Sequence, residues 1–431
     1  MKKILFPFLF AAALQAQTYR EVIAAVDNSL ALKSARQLEA AARKNYDSVW
    51  GTQLPTLDAS LSAVHLIDQP TITFYIPNMP PQHAPMGRHD KFIGKIALRY
   101  PLFTGFAQTA QVESAKLEAE KAALQVADLR RNLYLKASEL YGAVVALDDA
   151  IRAQKEAKKA LDASYKKARG LNETGMLPDA DLYNIEAAFY DIEATVTELE
   201  SQRTEALERL SYLVHEKIDS CEPLKNGDLP LDEAGLTKAA HAREDIRALA
   251  RSLDIAQEQV TLAESRYYPT VGVEAALKHM GDNLELNGDG YLNPNQSYVA
   301  AEAKWNLFSG LSDRRRVEAA RLQALAARTK LADYTDRVLT ELRTSFSQLA
   351  AMRSKRKSAA AREKAQRKYY DLTKGRFDNQ LADADELSRA TANLAAAKAQ
   401  VSTIDARIFI LKTKILLQSG LSQFTEATGL R

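Results

Sequence analysis

The chain of 431 residues has one cysteine, Cys221. That excludes an internal disulfide framework and any metal site built from several cysteines. Proline (13) and glycine (17) make up about 7% of the chain, against an average near 12%. The deficit argues against an all-β sandwich and a disordered tail, and favours long unbroken helices. Neither sign of charge dominates: 58 basic residues face 55 acidic ones, a net charge of +3. A strongly basic nucleic-acid binder is therefore not the reading, and no nucleic-acid partner is expected. No apolar run reaches the roughly 18 residues of a membrane-crossing helix. Catalytic motifs are missing too. Gly288 and Gly290 do not precede a helix as a phosphate loop would, no His-Glu-x-x-His occurs, and no serine stands in a recognisable nucleophile motif. The chain is not expected to be an enzyme or to need a cofactor.

At roughly 100–200 residues per domain the length suits two or three domains, or one elongated body. Met1-Lys2-Lys3, an apolar run from Ile4 to Leu14 and the small residue Ala16 have the layout of a secretory signal peptide, 1–16. Without it the chain carries 56 basic and 55 acidic residues, or +1. An exported protein without a spanning helix could enter a membrane only as a closed barrel.

The sequence repeats itself. Pro101-Leu102-Phe103-Thr104-Gly105 returns as Asn306-Leu307-Phe308-Ser309-Gly310, an offset of 205 residues. The same offset carries Tyr141 to Phe346, Tyr165 to Tyr370 and Leu182 to Leu387. Upstream, Leu54-Pro55-Thr56 matches Tyr268-Pro269-Thr270. A duplicated unit follows: residues 17–220 and 237–431, joined by a linker at 221–236.

Each unit starts with a helix, about Ser29–Thr52 and Glu244–Tyr267. Two strands follow, expected at 56–67 and 91–101 in the first unit and at 270–279 and 297–308 in the second. They alternate apolar Leu57, Leu61, Ile96, Leu98, Val273 and Leu277 with polar Asp58, Lys95, Arg99, Glu274, Lys278, Glu302 and Lys304. Period-two alternation describes a sheet with one greasy and one wet face. About nine residues is the length that crosses a bilayer when tilted. Long helices come next, at 106–171 and 179–214, then at 311–375 and 383–418. At about 1.5 Å per residue the longest approach 100 Å. The return helices carry heptads: Leu387, Leu394, Val401, Ile408 and Ile415 in the second unit, Leu182, Phe189, Val196 and Leu210 in the first. A strict seven-residue repeat means coiled-coil contact with a neighbouring helix. Arg203 interrupts the first seam.

The duplicated unit and the Leu-Phe-Thr/Ser-Gly entry to each long helix resemble the TolC-like outer membrane efflux protein family, the outer membrane factors. So do the Ala-rich helix ending in Leu-Pro or Tyr-Pro before a strand, and Tyr165 followed by Gly175 and Asp181-Leu182. The resemblance covers essentially the whole mature chain. It implies a mainly α fold with a small β part. It also implies a homotrimer in the bacterial outer membrane, each subunit giving four strands to one 12-stranded barrel. The long helices would form a tunnel across the periplasm, with a belt near Cys221 to Asp232. The tunnel's inner end would dock a periplasmic adaptor (membrane fusion) protein that joins it to an inner-membrane pump. Independently, two strand pairs per chain cannot close a barrel without edges, so oligomerisation is required.

The turns between long helices carry the candidate site. The first is Asn172 to Pro178, the second Phe377 to Ala382, where Gln380 replaces the family's glycine. By resemblance Thr174, Gly175 and Met176, with Asn379, Gln380 and Leu381, would touch the adaptor; a plain turn is the alternative. Acids follow each turn: Asp179 and Asp181, then Asp383, Asp385 and Glu386. The family can ring a closed pore with two aspartates three residues apart. Here Glu386 is followed by Arg389, so a Glu–Arg lock, a ring of Asp383 and Asp385, or ordinary helix-start acids all stay open.

His65, His83, His89 and His279 lie with Met79, Met86 and Met280 in the strand–loop regions. They could serve soft metals or simply be loop residues; no metal site is expected. Three readings follow: an exit duct of a tripartite efflux system, an outlet for secreted proteins, or a soluble periplasmic coiled-coil scaffold.

Overall fold

The computed structural model describes residues 16–224 and 231–430. Residues 1–15 of the expected signal peptide, and 225–230 of the linker, lie outside the described residues. The elements run α1 (Tyr19–Ala25), α2 (Leu30–Gly51), β1 (Thr56–His65), β2 (Thr71–Phe74), β3 (Gln82–Pro85) and β4 (Asp90–Phe103). Then come α3 (Ala107–Glu173), α4 (Asp179–Val214), α5 (Glu233–Ala240), α6 (Glu244–Glu264), β5 (Thr270–Gly281) and β6 (Tyr298–Lys304). The chain closes with α7 (Ser312–Asp378), α8 (Ala384–Gln418) and α9 (Leu421–Thr428).

The duplication is visible in the backbone. The two long helices α3 and α7 have 67 residues each, and their return helices have 36 and 35. The Leu-Phe-Thr/Ser-Gly entry acts the same way twice. Gly105 and Phe106 have φ of +63° and +71°; Gly310 and Leu311 have +65° and +65°. The hydroxyl before the glycine then accepts the helix's early amides: Thr104 Oγ1 from Gln108 N at 3.1 Å, Ser309 Oγ from Asp313 N at 3.4 Å. At Gly105 a side chain is excluded by space as well as by φ, since a Cβ would run into the Ser265 carbonyl.

Contacts divide the chain into two compact units. One comprises Glu39–Ala122 with Leu249–Leu331; the other Ala123–Ala248, Ala332–Arg431 and the stretch ending at Leu38. The first of these holds a four-stranded antiparallel sheet in the order β1-β4-β5-β6. Its register pairs Arg99 with Thr56 and Glu274, and Lys95 with Ser60 and Lys278. Strand β6 ends at Lys304, short of the expected 308, as the Trp305 indole turns to donate to the Tyr267 carbonyl at 3.1 Å. The loop between β1 and β4 folds its own hairpin, β2–β3, which the sequence reading left as loop.

The second unit is helical. One core gathers α1, the middle of α3, the ends of α4 and α8, Cys221, α5 and α9 around Tyr141, Leu210, Leu342, Ile415 and Phe424. Another lies near the interhelical turns, where Leu161 and Ala168 of α3 meet Ile185 and Ile192 of α4, Phe377 of α7 and Leu387 of α8. The heptad positions are buried or half-buried: Leu182, Phe189, Val196 and Leu210 on α4, with Ile185 and Ile192 three residues after the first two; Leu387, Leu394, Val401, Ile408 and Ile415 on α8. Arg203, the break in the first seam, pairs with Asp148 of α3.

Candidate functional site

Two surfaces could act on a solute, one in each unit. In the sheet unit, strand alternation and register put Thr56, Asp58, Lys95, Arg99, Glu274, Lys278, Tyr298 and Glu302 on one face. Leu57, Leu61, Ile96, Leu98, Val273, Leu277 and Val299 take the other. The polar face carries one connected network. Lys95 Nζ donates to Glu274 at 2.5 Å and to the Tyr298 hydroxyl at 2.9 Å; Arg99 joins Glu274 at 2.7 Å and Asp58 at 3.1 Å.

Burial separates the two faces of this sheet. On the polar face the small residues Ala97 and Ala276 are 1% and 3% exposed. On the apolar face Leu277 and Val299 are 64% and 83% exposed. The alanines of the charged side are covered, and the leucines and valines of the other side stand exposed. That is inverted relative to a water-soluble sheet, whose apolar face covers a core, and it matches a membrane barrel, apolar outside and polar within. A cavity of about 520 Å³ lies against the polar side, lined by Arg99, Glu274, Tyr298, Glu302 and Lys304 among others.

In the helical unit the α3–α4 turn is built from its own side chains. Gly175, with φ +70°, ends α3, and its amide meets the Asn172 carbonyl at 2.8 Å. Thr174 Oγ1 donates to the Leu171 carbonyl at 2.8 Å. The Asn172 amide spans the turn, donating to the Leu177 carbonyl at 2.9 Å and to Asp179 Oδ1 at 2.7 Å. Asp181 sits with Asp179 in the first turn of α4, and Met176 projects into solvent.

The α7–α8 turn achieves the same reversal without glycine. Gln380 takes the left-handed conformation at φ +57°. Asn379 Nδ2 donates to the Gly375 carbonyl at 2.8 Å, and Leu381 is exposed. Asp383 is the N-cap of α8, accepting the Glu386 amide at 2.6 Å. Glu386 then meets Arg376 of α7 at 2.9 Å, and the Tyr369 hydroxyl at 3.3 Å. Arg376 also donates to the Leu381 carbonyl at 3.1 Å. Of the alternatives left open, a Glu386–Arg389 pair within the chain is not formed: Arg389 reaches back to Asp385 at 2.6 Å. Glu386 is already engaged by Arg376 and Tyr369, while Asp385 lies one turn before Arg389, toward which a long side chain leans. The turns are joined by Lys167 of α3, whose Nζ lies 2.9 Å from both the carbonyl and Oδ1 of Asp378.

Sequence reasoning missed Arg376 and Lys167, and named Asn172 only as the first residue of its turn. The first two pair across turns or between helices, where no along-helix periodicity points. The histidines are engaged one at a time: His65 with Asp90 at 2.8 Å, His83 with Thr73 at 2.9 Å, His89 with the Leu66 carbonyl at 2.9 Å. Among the described residues no group of three His, Cys, Asp or Glu is placed to hold a metal ion.

A sheet with one charged, networked face and one exposed apolar face, in one chain with paired helices of this length, suits a channel-forming outer-membrane protein. The sequence belongs to the outer membrane efflux protein family, whose profile matches residues 23–214 and 235–408. It is thus an outer-membrane efflux channel protein and not an enzyme. No curated protein sequence matches significantly. Among solved structures the chain is similar to the CmeC outer membrane channel of Campylobacter jejuni: 16% identical, covering 93% of this chain and 85% of that one, TM-score 0.78. The outer membrane protein VceC of Vibrio cholerae is 15% identical over 95% of this chain and 96% of its own, TM-score 0.76. The open-state MtrE channel of Neisseria gonorrhoeae is 14% identical over 93% and 89%, TM-score 0.75. At such identities the likeness establishes the fold.

Proposed function

We propose that three copies of this chain close a 12-stranded barrel and form the passive outlet of a tripartite efflux system. In this reading solutes enter at the helix turns, having been delivered by an inner-membrane pump through a periplasmic adaptor. The observation that carries it is the contrast of the sheet's faces: Lys95, Arg99 and Glu274 joined in one network on one side, leucine and valine exposed on the other. Strands β1 and β6 are edges, each with one bonded neighbour. Unpaired backbone in lipid costs several kcal/mol per group, so a further copy must cover each edge. A soluble scaffold would leave the exposed apolar face in water, and that face disfavours it.

The adaptor would meet the exposed turn residues: Thr174, Gly175 and Met176 on one turn, Asn379, Gln380 and Leu381 on the other. The pore constriction would lie at the helix starts, around Asp179, Asp181, Asp383, Asp385, Glu386 and Arg389. Because Asp385 and Glu386 are paired with arginines, Asp179, Asp181 and Asp383 are left to give such a ring most of its negative field. Membrane fractionation and sedimentation in detergent test the proposal. The expected result is extraction from the outer membrane only by detergent, as a particle of three chains. A protein that stays soluble, or a monodisperse monomer with intact helix content, would overturn it.

A further inference from the structure

The helical unit carries two opposite charge stripes that the chain itself leaves unmatched. On α7, residues 353–376 hold ten basic side chains and two acidic ones. Arg356, Arg367 and Arg376 are used within the chain, on Asp405, Glu363 and Glu386. Arg353, Lys357, Lys364 and Lys368 recur at spacings of four, seven and four, which is one stripe of a helix. All four are exposed, and none takes an ion-pair partner among the described residues. The buried residues of this stretch, Ala359 and Thr373, and Phe377 just beyond it, lie on the opposite side of the helix.

The complementary surface is on α4, which holds nine acidic residues and two basic ones. Its buried side is Ile185, Ile192, Val196, Ala206 and Leu210. On the opposite side Asp191, Glu198 and Glu205 recur every seven residues, all exposed. Among the described residues their side-chain partners lie on α4 itself: Glu198 accepts from Gln202 at 3.1 Å and Glu205 meets Arg209.

The stripes also match in height. Lys368 and Arg353 lie 10 and 25 residues before Asp378, the end of α7. Asp191 and Glu205 lie 12 and 26 residues after Asp179, the start of α4. At about 1.5 Å per residue these are spans of about 15–37 Å and 18–39 Å from the turns. The contact of Lys167 with Asp378 holds the turns at a similar level. Within one chain both stripes face away from the buried side of their helices, and among the described residues no ion pair joins them. A head-to-tail ring needs two different patches on each subunit that complement one another.

We propose that the basic stripe of α7 docks on the acidic stripe of α4 of a second copy of this chain, so that the helical tunnel closes head to tail on charge. This rests on the trimer reading above and adds which helices meet and why. Screening weakens exposed pairs beyond about 8–10 Å at physiological salt, so the seam should loosen as salt rises.

The test is charge reversal on the full chain in detergent, read as the trimer dissociation constant by sedimentation. Lys357→Glu, Lys364→Glu and Lys368→Glu together should raise it at least tenfold. Asp191→Lys, Glu198→Lys and Glu205→Lys together should do the same. All six combined should return it to within about threefold of the parent. Disulfide trapping gives a second readout: Lys364→Cys with Asp191→Cys or Glu198→Cys should yield chains linked to one another. Reversals that leave the trimer as tight as the parent, six changes that merely add, or a bridge formed within one chain would each overturn the docking. A parent that is monomeric throughout would instead overturn the trimer reading.

Discussion

Arg376, near the end of α7, and Glu386, in the first turn of α8, form an ion pair of 2.9 Å across the turn that joins their helices. The pair replaces a lock along one helix with a clasp between two. Glu386→Gln should therefore loosen the turn. Its partners are partly exposed, so the loss of stability should be below about 1 kcal/mol. The clearer signal is faster amide exchange in residues 376–387. Arg389→Ala, which removes only the exposed pair with Asp385, should leave that exchange unchanged.

Gln380 holds a left-handed backbone that costs an L-residue roughly 1–2 kcal/mol. Glycine avoids that cost and gives some back as chain entropy. Gln380→Gly should stabilise the turn by about 1 kcal/mol, measured as slower amide exchange at Asn379 to Ala382. Faster exchange would mean that the glutamine side chain contributes more than its backbone costs.

Asp245 lies almost buried with Arg243, which it meets at 2.6 Å, and with the Tyr334 hydroxyl, also at 2.6 Å. Burial alone would raise its carboxyl, but hydrogen bonds from Arg243 and Tyr334 outweigh that and hold it below the ordinary carboxylate range. The folded form thus binds its proton less readily than the unfolded one. The resulting stability is present above the unfolded value, about 3.9, and is lost as pH falls through the lower folded value. Asp245→Asn should lower stability near pH 7 by about 3 kcal/mol, since it leaves Arg243 buried and uncompensated. It should also flatten the loss below pH 4. Thermal melting between pH 3 and 7 measures both.

Cys221 is buried in the helical core, and burial pushes its thiol up to about 12, with Asp148 adding to the rise. The reactive thiolate is scarce at pH 8. Maleimide should label the native protein far more slowly than the urea-unfolded chain, as read by mass spectrometry. The buried thiol favours folding fully below about pH 8.5, its ordinary range, and that share is lost as pH rises toward its folded value.

Much of this was legible in the sequence because it is periodic. The offset that carries Thr104-Gly105 onto Ser309-Gly310 reappears as two identical left-handed helix entries. The heptads through Ile192 and Leu387 are the buried seams, and Asp58, Lys95 and Glu274 share one strand face. The β2–β3 hairpin was not legible, since four-residue strands bounded by prolines give too few alternations to show a period. Helix α9, eight residues packed through Phe424 against Tyr134, was missed because tertiary contact rather than pattern places it. At the turns the residue types were legible and their partners were not. Sequence spacing suggests neighbours along a helix, whereas Arg376 and Lys167 choose partners across a reversal or on another helix.

Single-channel recording of the purified protein in a planar lipid bilayer tests the central claim most directly. The outlet reading requires discrete, nucleotide-independent conductance steps from the detergent-purified trimer, with no pump or adaptor added. It also expects a preference for cations that declines when Asp179, Asp181 and Asp383 are changed together to Asn. Intact trimers that insert but never conduct would contradict it.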